Sequence, residues 1–281
     1  MPGGNAVMAE SNSFKNTLIV RAVSGAVLVG VMLSVLWLGG WWWQCFAAAV
    51  ALGSLGEFYR MYSPSSMLAC TAGFVCSALI LFSPGTFLQN GFGEIFGACC
   101  FIAYFSELYR RQIKGVSDSV KNVMPVVTGL SYTAVPWYCM IQLRRLPYVG
   151  YGAVLAIFLC TWSCDVMAYL TGSRWGAKKV CPHISPNKSL EGFIGGFAAS
   201  LFCGTVCALW MGFSPLAFIL TGAVCGTVGQ LGDLVESLIK RECGVKDSGK
   251  IIPGHGGFLD RFDSVLVNGL CVWLIWWVIL Q

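Results

Sequence analysis

Long apolar runs separated by short polar connections repeat along this chain, and nine of them approach the roughly 20 residues that a bilayer span requires. They cover residues 18–39, 41–56, 67–83, 92–107, 123–141, 149–170, 192–212, 215–236 and 264–280. The pattern predicts an all-α integral membrane protein with about nine transmembrane helices. Residues 1–17 read as a polar N-terminal tail and residues 18–281 as a single polytopic membrane domain. Because eight further apolar runs follow the first, that run reads as an anchor and not as a cleaved leader.

Composition strengthens this picture. The 281 residues are 56% hydrophobic and only 11% charged, where a soluble domain carries about 25% charged residues. Charge also orients the chain, because Lys and Arg in short loops are retained on the cytoplasmic side. With nine spans and the N-terminus inside, 16 of the 18 basic residues fall in cytoplasmic segments and only Arg144 and Arg145 fall outside. The expected topology is therefore N-terminus cytoplasmic and C-terminus outside. The net charge of +5 reads as topology and attraction for anions, with no nucleic-acid partner. Fourteen cysteines include no C-x-x-C pair, and Cys203 and Cys207, one helical turn apart, have no histidine nearby. They read as packing residues in a reducing compartment.

Two stretches depart from the apolar pattern. One covers residues 171–192. The other, residues 240–264, holds nine of the chain's 31 charged residues. At roughly 2.5 to 3.5 kcal/mol for each charge at mid-bilayer, burying nine in lipid would cost on the order of 25 kcal/mol, so the second stretch lies at the interface or lines a wet cavity. Both stretches fall on the cytoplasmic side and are joined by a helical hairpin with the outer turn 211–215, which makes them spatial neighbours. Just upstream, Asp233, Ser237 and Arg241 follow one helical stripe at i, i+4, i+8. Glu236 and Lys240, also four apart, read as a surface helix pair. Downstream, a helix starting near Phe258 places Asp260 and Asp263 on one face. Carboxylates at two helix ends with basic residues between them suit Mg²⁺ and phosphate; the competing reading is a set of interfacial salt bridges that anchor the helices.

The residues themselves resemble a known family. Ser237, Lys240-Arg241, Lys246-Asp247, Gly249, Ile252-Pro253, His255-Gly256-Gly257, Asp260-Arg261 and Asp263 fill every fixed position of the 27-residue signature of the phosphatidate cytidylyltransferases. Asp165, Ala168-Tyr169, Gly172, Gly176, Ser185-Pro186, Lys188 and Glu191-Gly192 match a second family segment, with Asn187 standing where the pattern has a basic residue. The resemblance implies transfer of a cytidylyl group from CTP to phosphatidic acid, with release of pyrophosphate, at the cytoplasmic face. Catalytic loops are then expected at about 171–192 and 237–263. It further implies a two-cation site containing Mg²⁺, with Asp233 and Asp260 as metal ligands and Asp263 in the same cluster. Lys240, Arg241, Lys246 and Arg261 would contact phosphate, Lys188 and Ser185 would complete the pocket, and Asp165 would bind metal or nucleotide. Asp247 belongs to the same substrate-binding group. Ser237 donates either to a phosphate oxygen or to its i−4 backbone carbonyl, and His255 either bonds phosphate or fixes the glycine turn. His183 reads as structural. The expected partners are CTP, phosphatidic acid and membrane lipids, with a homodimer left open. The rival readings are a CTP-dependent polyprenol or phytol kinase and an ion-coupled transporter using Asp165 and Asp233.

Overall fold

A computed structural model describes residues 4–83, 91–212 and 214–280, with side chains from residue 20 onward. All nine apolar runs fall on helical backbone. The helices are α1 (Gly4–Leu38), α2 (Gly40–Tyr62), α3 (Met67–Leu81), α4 (Phe92–Lys114), α5 (Ser119–Gly129), α6 (Val135–Arg145), α7 (Gly150–Trp175), α8 (Leu190–Met211), α9 (Pro215–Glu242) and α10 (Leu259–Ile279). Five stretches, Val20–Leu38, Gly150–Trp175, Leu190–Met211, Pro215–Glu242 and Leu259–Ile279, are long and apolar enough to cross a membrane. Their outward faces are apolar as lipid requires: Phe202, Leu209 and Trp210 of α8 are all exposed. The molecule is thus an all-α membrane protein. The polar tail expected over residues 1–17 is helical from Gly4, as the leading part of α1; residues 1–3, the side chains up to residue 19 and Phe213 of the outer turn lie outside the described residues.

The core is a layered bundle in which α7 packs on α8, α8 on α9 and α9 on α10, while α2 to α6 form a second group that meets α10 through α6. Small residues permit the close crossings that membrane helices use in place of a hydrophobic driving force. At the α8–α9 crossing Gly204 faces Gly222, and a Cβ on Gly204 would lie 2.6 Å from the Phe218 carbonyl oxygen.

Between α5 and α6 the run 123–141 contains a π-turn, Leu130–Ala134, in which the Val135 N–H reaches the Leu130 carbonyl. Pro136 sits in the first turn of α6. Having no N–H, and with a ring that crowds the preceding turn, it favours this local widening over regular helix.

The polar stretch 171–192, expected as a loop, is more ordered than its composition suggests. α7 continues to Trp175, and an antiparallel hairpin follows, β1 (Lys179–Cys181) and β2 (Ser185–Ser189), with Lys179 opposite Ser189 and Cys181 opposite Ser185. The Ser189 hydroxyl accepts from the Gly192 N–H at 3.2 Å and so caps α8. In the same turn the Glu191 carboxylate accepts from Ala177 N (3.1 Å) and Lys178 N (3.2 Å), closing the hairpin onto the helix.

Candidate active site

α9 and the first turn of α10 bring four carboxylates into one region. Asp233, Glu236 and Asp263 each offer an oxygen within 4.8 Å of the others. Asp233 is half-buried, and the Lys188 ammonium from β2 lies 2.5 Å from it. The Ser237 hydroxyl, one turn along, donates to the same carboxylate at 3.4 Å, so the side chain neither bonds back to the i−4 carbonyl nor stands apart. Lys188 thus ties the first polar stretch to α9, upstream of the point where the second stretch begins.

Glu236 corrects the surface-pair reading. It does pair with Lys240, but its side chain is 0% exposed and the pair is internal. Spacing of four residues is shared by buried and exposed faces, so it could not distinguish them. Among the described residues the Lys240 ammonium, against Oε2, is the one group that reaches the Glu236 carboxylate, and Oε1 has no partner. A buried carboxylate with one oxygen unpartnered, beside two further acids, is a fit for a hard cation.

Asp260 occupies a different position from its expected partners. It accepts from Lys240 Nζ at 2.8 Å, Ser248 N and Ser248 Oγ each at 2.9 Å, and Gly257 N at 2.8 Å. It therefore ties α9, the 248 turn and the glycine turn together, while Asp263 faces Asp233 and Glu236. Lys240 bridges Glu236 and Asp260.

The remaining expected residues divide between two cavities and the open surface. The first cavity, about 660 Å³, is lined by Asp165, Lys188, Asp233, Tyr169 and Phe193 among others, between α7, the hairpin, α8 and α9. The second, about 610 Å³, is lined by Asp247, His255 and Arg261 together with Arg21 and Lys250. Arg241 is exposed and donates to the Val245 carbonyl at 3.1 Å, closing the end of α9. Lys246 is exposed and Ser185 is half-buried in β2; neither lines these two cavities. His255 sits within the glycine turn: its backbone N–H donates to Ile252 O at 3.0 Å, and its Nδ1 lies 2.9 Å from the Ser24 hydroxyl of α1. His183 is exposed in the hairpin turn.

Two residues that the sequence reading passed over complete the region. Glu57, near the end of α2 and 1% exposed, accepts from Phe258 N at 3.0 Å, Leu259 N at 2.9 Å and Ser248 Oγ at 3.2 Å. Those amides begin α10 and have no acceptor within their own helix. A lone acid at the end of an apolar run was the available signal. Tyr132, in the π-turn, places its hydroxyl 3.5 Å from the Gly232 carbonyl, next to Asp233.

Comparisons with known proteins place the chain in a family. The model of the "Cytidylyltransferase family" matches residues 19–279. The chain is 34% identical over 253 residues to a phosphatidate cytidylyltransferase of Staphylococcus haemolyticus (strain JCSC1435), covering 88% of this chain and 94% of that protein. It is 30% identical over 284 residues to the Synechocystis sp. phosphatidate cytidylyltransferase, covering 90% and 94%. A Bacillus subtilis (strain 168) protein of the same name is 43% identical over 138 residues, 48% of this chain and 51% of that protein. Matched along nearly its whole described length, the chain belongs to the cytidylyltransferase family.

Proposed function

We infer that the protein is a phosphatidate cytidylyltransferase, which forms CDP-diacylglycerol and pyrophosphate from CTP and phosphatidic acid. The observation that carries this reading is the group Asp233, Glu236 and Asp263, buried at Glu236 and half-buried at the other two, with Lys188 against Asp233 at the wall of the first cavity. Relatives that match over most of both chains bear this name; neither rival, a lipid kinase nor a transporter, finds support in those names.

In the proposed reaction an oxygen of the lipid phosphate bonds to the α-phosphorus of CTP, and the bond from that phosphorus to the β-phosphate bridge breaks. The nucleophile is already ionised, so the protein's task is to bring two anions together in line. Asp233, Glu236 and Asp263 would hold Mg²⁺. What the bound ion supplies is neutralisation of the charge shared by the entering and leaving groups. Lys188 adds a cation at the same cavity wall, and Asp165 lines the same cavity. Asp260 would join the metal only by giving up a bond to Lys240 or Ser248; as it stands, it fixes Lys240 and the glycine turn. Ser185, Ser237, Arg241, Lys246, Asp247, His255 and Arg261 are proposed to serve substrate binding from the surrounding loops.

The basic-residue bias supports nine spans in one membrane domain, with the N-terminus and the catalytic loops in the cytoplasm and the C-terminus outside. Bacterial relatives support an inner-membrane location. Detergent-purified protein mixed with CTP, phosphatidic acid and Mg²⁺ should release pyrophosphate and produce lipid-linked cytidine. If neither product forms in lipid conditions that support a relative's activity, the reading is wrong.

A further inference from the structure

The second cavity lies where α1 meets the glycine turn. Ser24 donates to the Pro253 carbonyl at 2.9 Å and contacts His255 Nδ1. Gly25 lets the His255 ring approach so closely that a Cβ there would lie 3.3 Å from Cε1. Gly254, at φ +73, leaves room for the Arg21 stem, and a Cβ on it would fall 2.9 Å from Arg21 Cγ. These contacts seat α1 on the turn and bring Arg21 to the cavity.

The turn is preformed. Ile252 N donates to Gly256 O at 2.9 Å, and Arg261 Nε donates to His255 O at 2.8 Å. Three cations, Arg21, Lys250 and Arg261, face one carboxylate, Asp247, around about 610 Å³ of open space. Among the described residues, the side chains of Arg21 and Lys250 make no hydrogen bond or ion pair. Cations gathered on a fixed turn with no protein acceptor form a site for an external anion, and guanidinium groups suit phosphate in particular.

We propose that this cavity is a phosphate subsite separate from the carboxylate group, and that Arg21 of α1, which lies outside the 27-residue signature, is one of its binding residues. The proposal rests on the cytidylyltransferase reading only for the source of the phosphate, which is either the polyphosphate of the nucleotide or the phosphomonoester of the lipid.

Pyrophosphate and a short-chain phosphatidic acid are each titrated calorimetrically into the full-length, detergent-solubilised protein in wild-type, R21M and R21K forms. Methionine keeps an unbranched stem against Gly254 and removes the charge. We expect R21M to weaken one of the two ligands by about tenfold or more, R21K to recover part of that loss, and the unfolding temperature to stay put. Weaker pyrophosphate binding assigns the cavity to the nucleotide, and weaker lipid binding assigns it to the lipid phosphate. Affinities within twofold of wild type for both ligands overturn the proposal, as does an equal loss for both. A wild-type protein that makes no lipid-linked cytidine but binds pyrophosphate through Arg21 counts against the proposed reaction and leaves the subsite standing. An active wild type with an R21M variant that binds both ligands normally does the reverse.

Discussion

Removing the Glu57 carboxylate tests the link between the two halves of the bundle. The perturbation is Glu57→Ala, with Glu57→Gln as its milder partner. In the native protein one buried carboxylate satisfies Phe258 N, Leu259 N and Ser248 Oγ. Alanine leaves the Phe258 and Leu259 amides without an acceptor, at about 1–3 kcal/mol each, while the Ser248 hydroxyl keeps its bond to Asp260. Water entering the vacated space offsets part of this, so a loss of about 2–4 kcal/mol is expected. Glutamine keeps one carbonyl oxygen but turns an amide toward donors, for a loss of about 1–2 kcal/mol. Because the contact holds the glycine turn and the start of α10, the damage should concentrate there. Limited proteolysis should show faster cleavage between residues 248 and 258 in both variants, with the graded order Ala over Gln, and turnover should fall in the same order. An E57A protein that unfolds at the wild-type temperature, resists protease and turns over normally would refute the capping role.

Three further outcomes follow from the same geometry. D233N should lower turnover by at least a hundredfold while the protein stays folded in detergent, because it removes a proposed cation ligand and the partner of Lys188; near-normal turnover in a steady-state assay would remove Asp233 from the metal group. K240M should destabilise by about 3–5 kcal/mol, since it strands Glu236 as an internal charge and takes the counter-charge from Asp260, which keeps its bonds to Ser248 and Gly257, and thermal unfolding reads this directly. Chelation should abolish pyrophosphate release and added Mg²⁺ should restore it, with E236Q shifting the Mg²⁺ concentration for half-maximal rate upward.

Helix positions were legible because an apolar run of membrane length has few other solutions, and residues 149–170, 192–212, 215–236 and 264–280 all became helices with small shifts at their ends. The meeting of Lys188 with Asp233 was legible in outline, since a hairpin returns its ends to one side. What escaped were contacts with no local spacing. Glu57 meets Leu259 across some 200 residues, and no pattern in either segment names the other. Glu236 was misplaced because i, i+4 spacing fixes a stripe and not the direction it faces. Asp260 and Asp263 share a helical face, yet three residues of rise and turn suffice to give one to the glycine turn and the other to Asp233. The short hairpin 179–189 lay below the length at which alternation is readable.

The π-turn at Leu130–Ala134 sets the rotational relation between two half-helices. α5 packs with α2, α3 and α4, while α6 packs on α10, where Trp137 meets Phe262 at 5.3 Å between ring centroids. A regular helix advances about 100° per residue and a π-turn less, so restoring ordinary winding here at unchanged length would swing Trp137 off its neighbour. The turn therefore behaves as a phase offset between the two ends of one rod. Family members that differ in length here should differ by compensating changes on the α6 face, and a chimera joined inside this turn should be far less tolerant than one joined in the connection between α4 and α5.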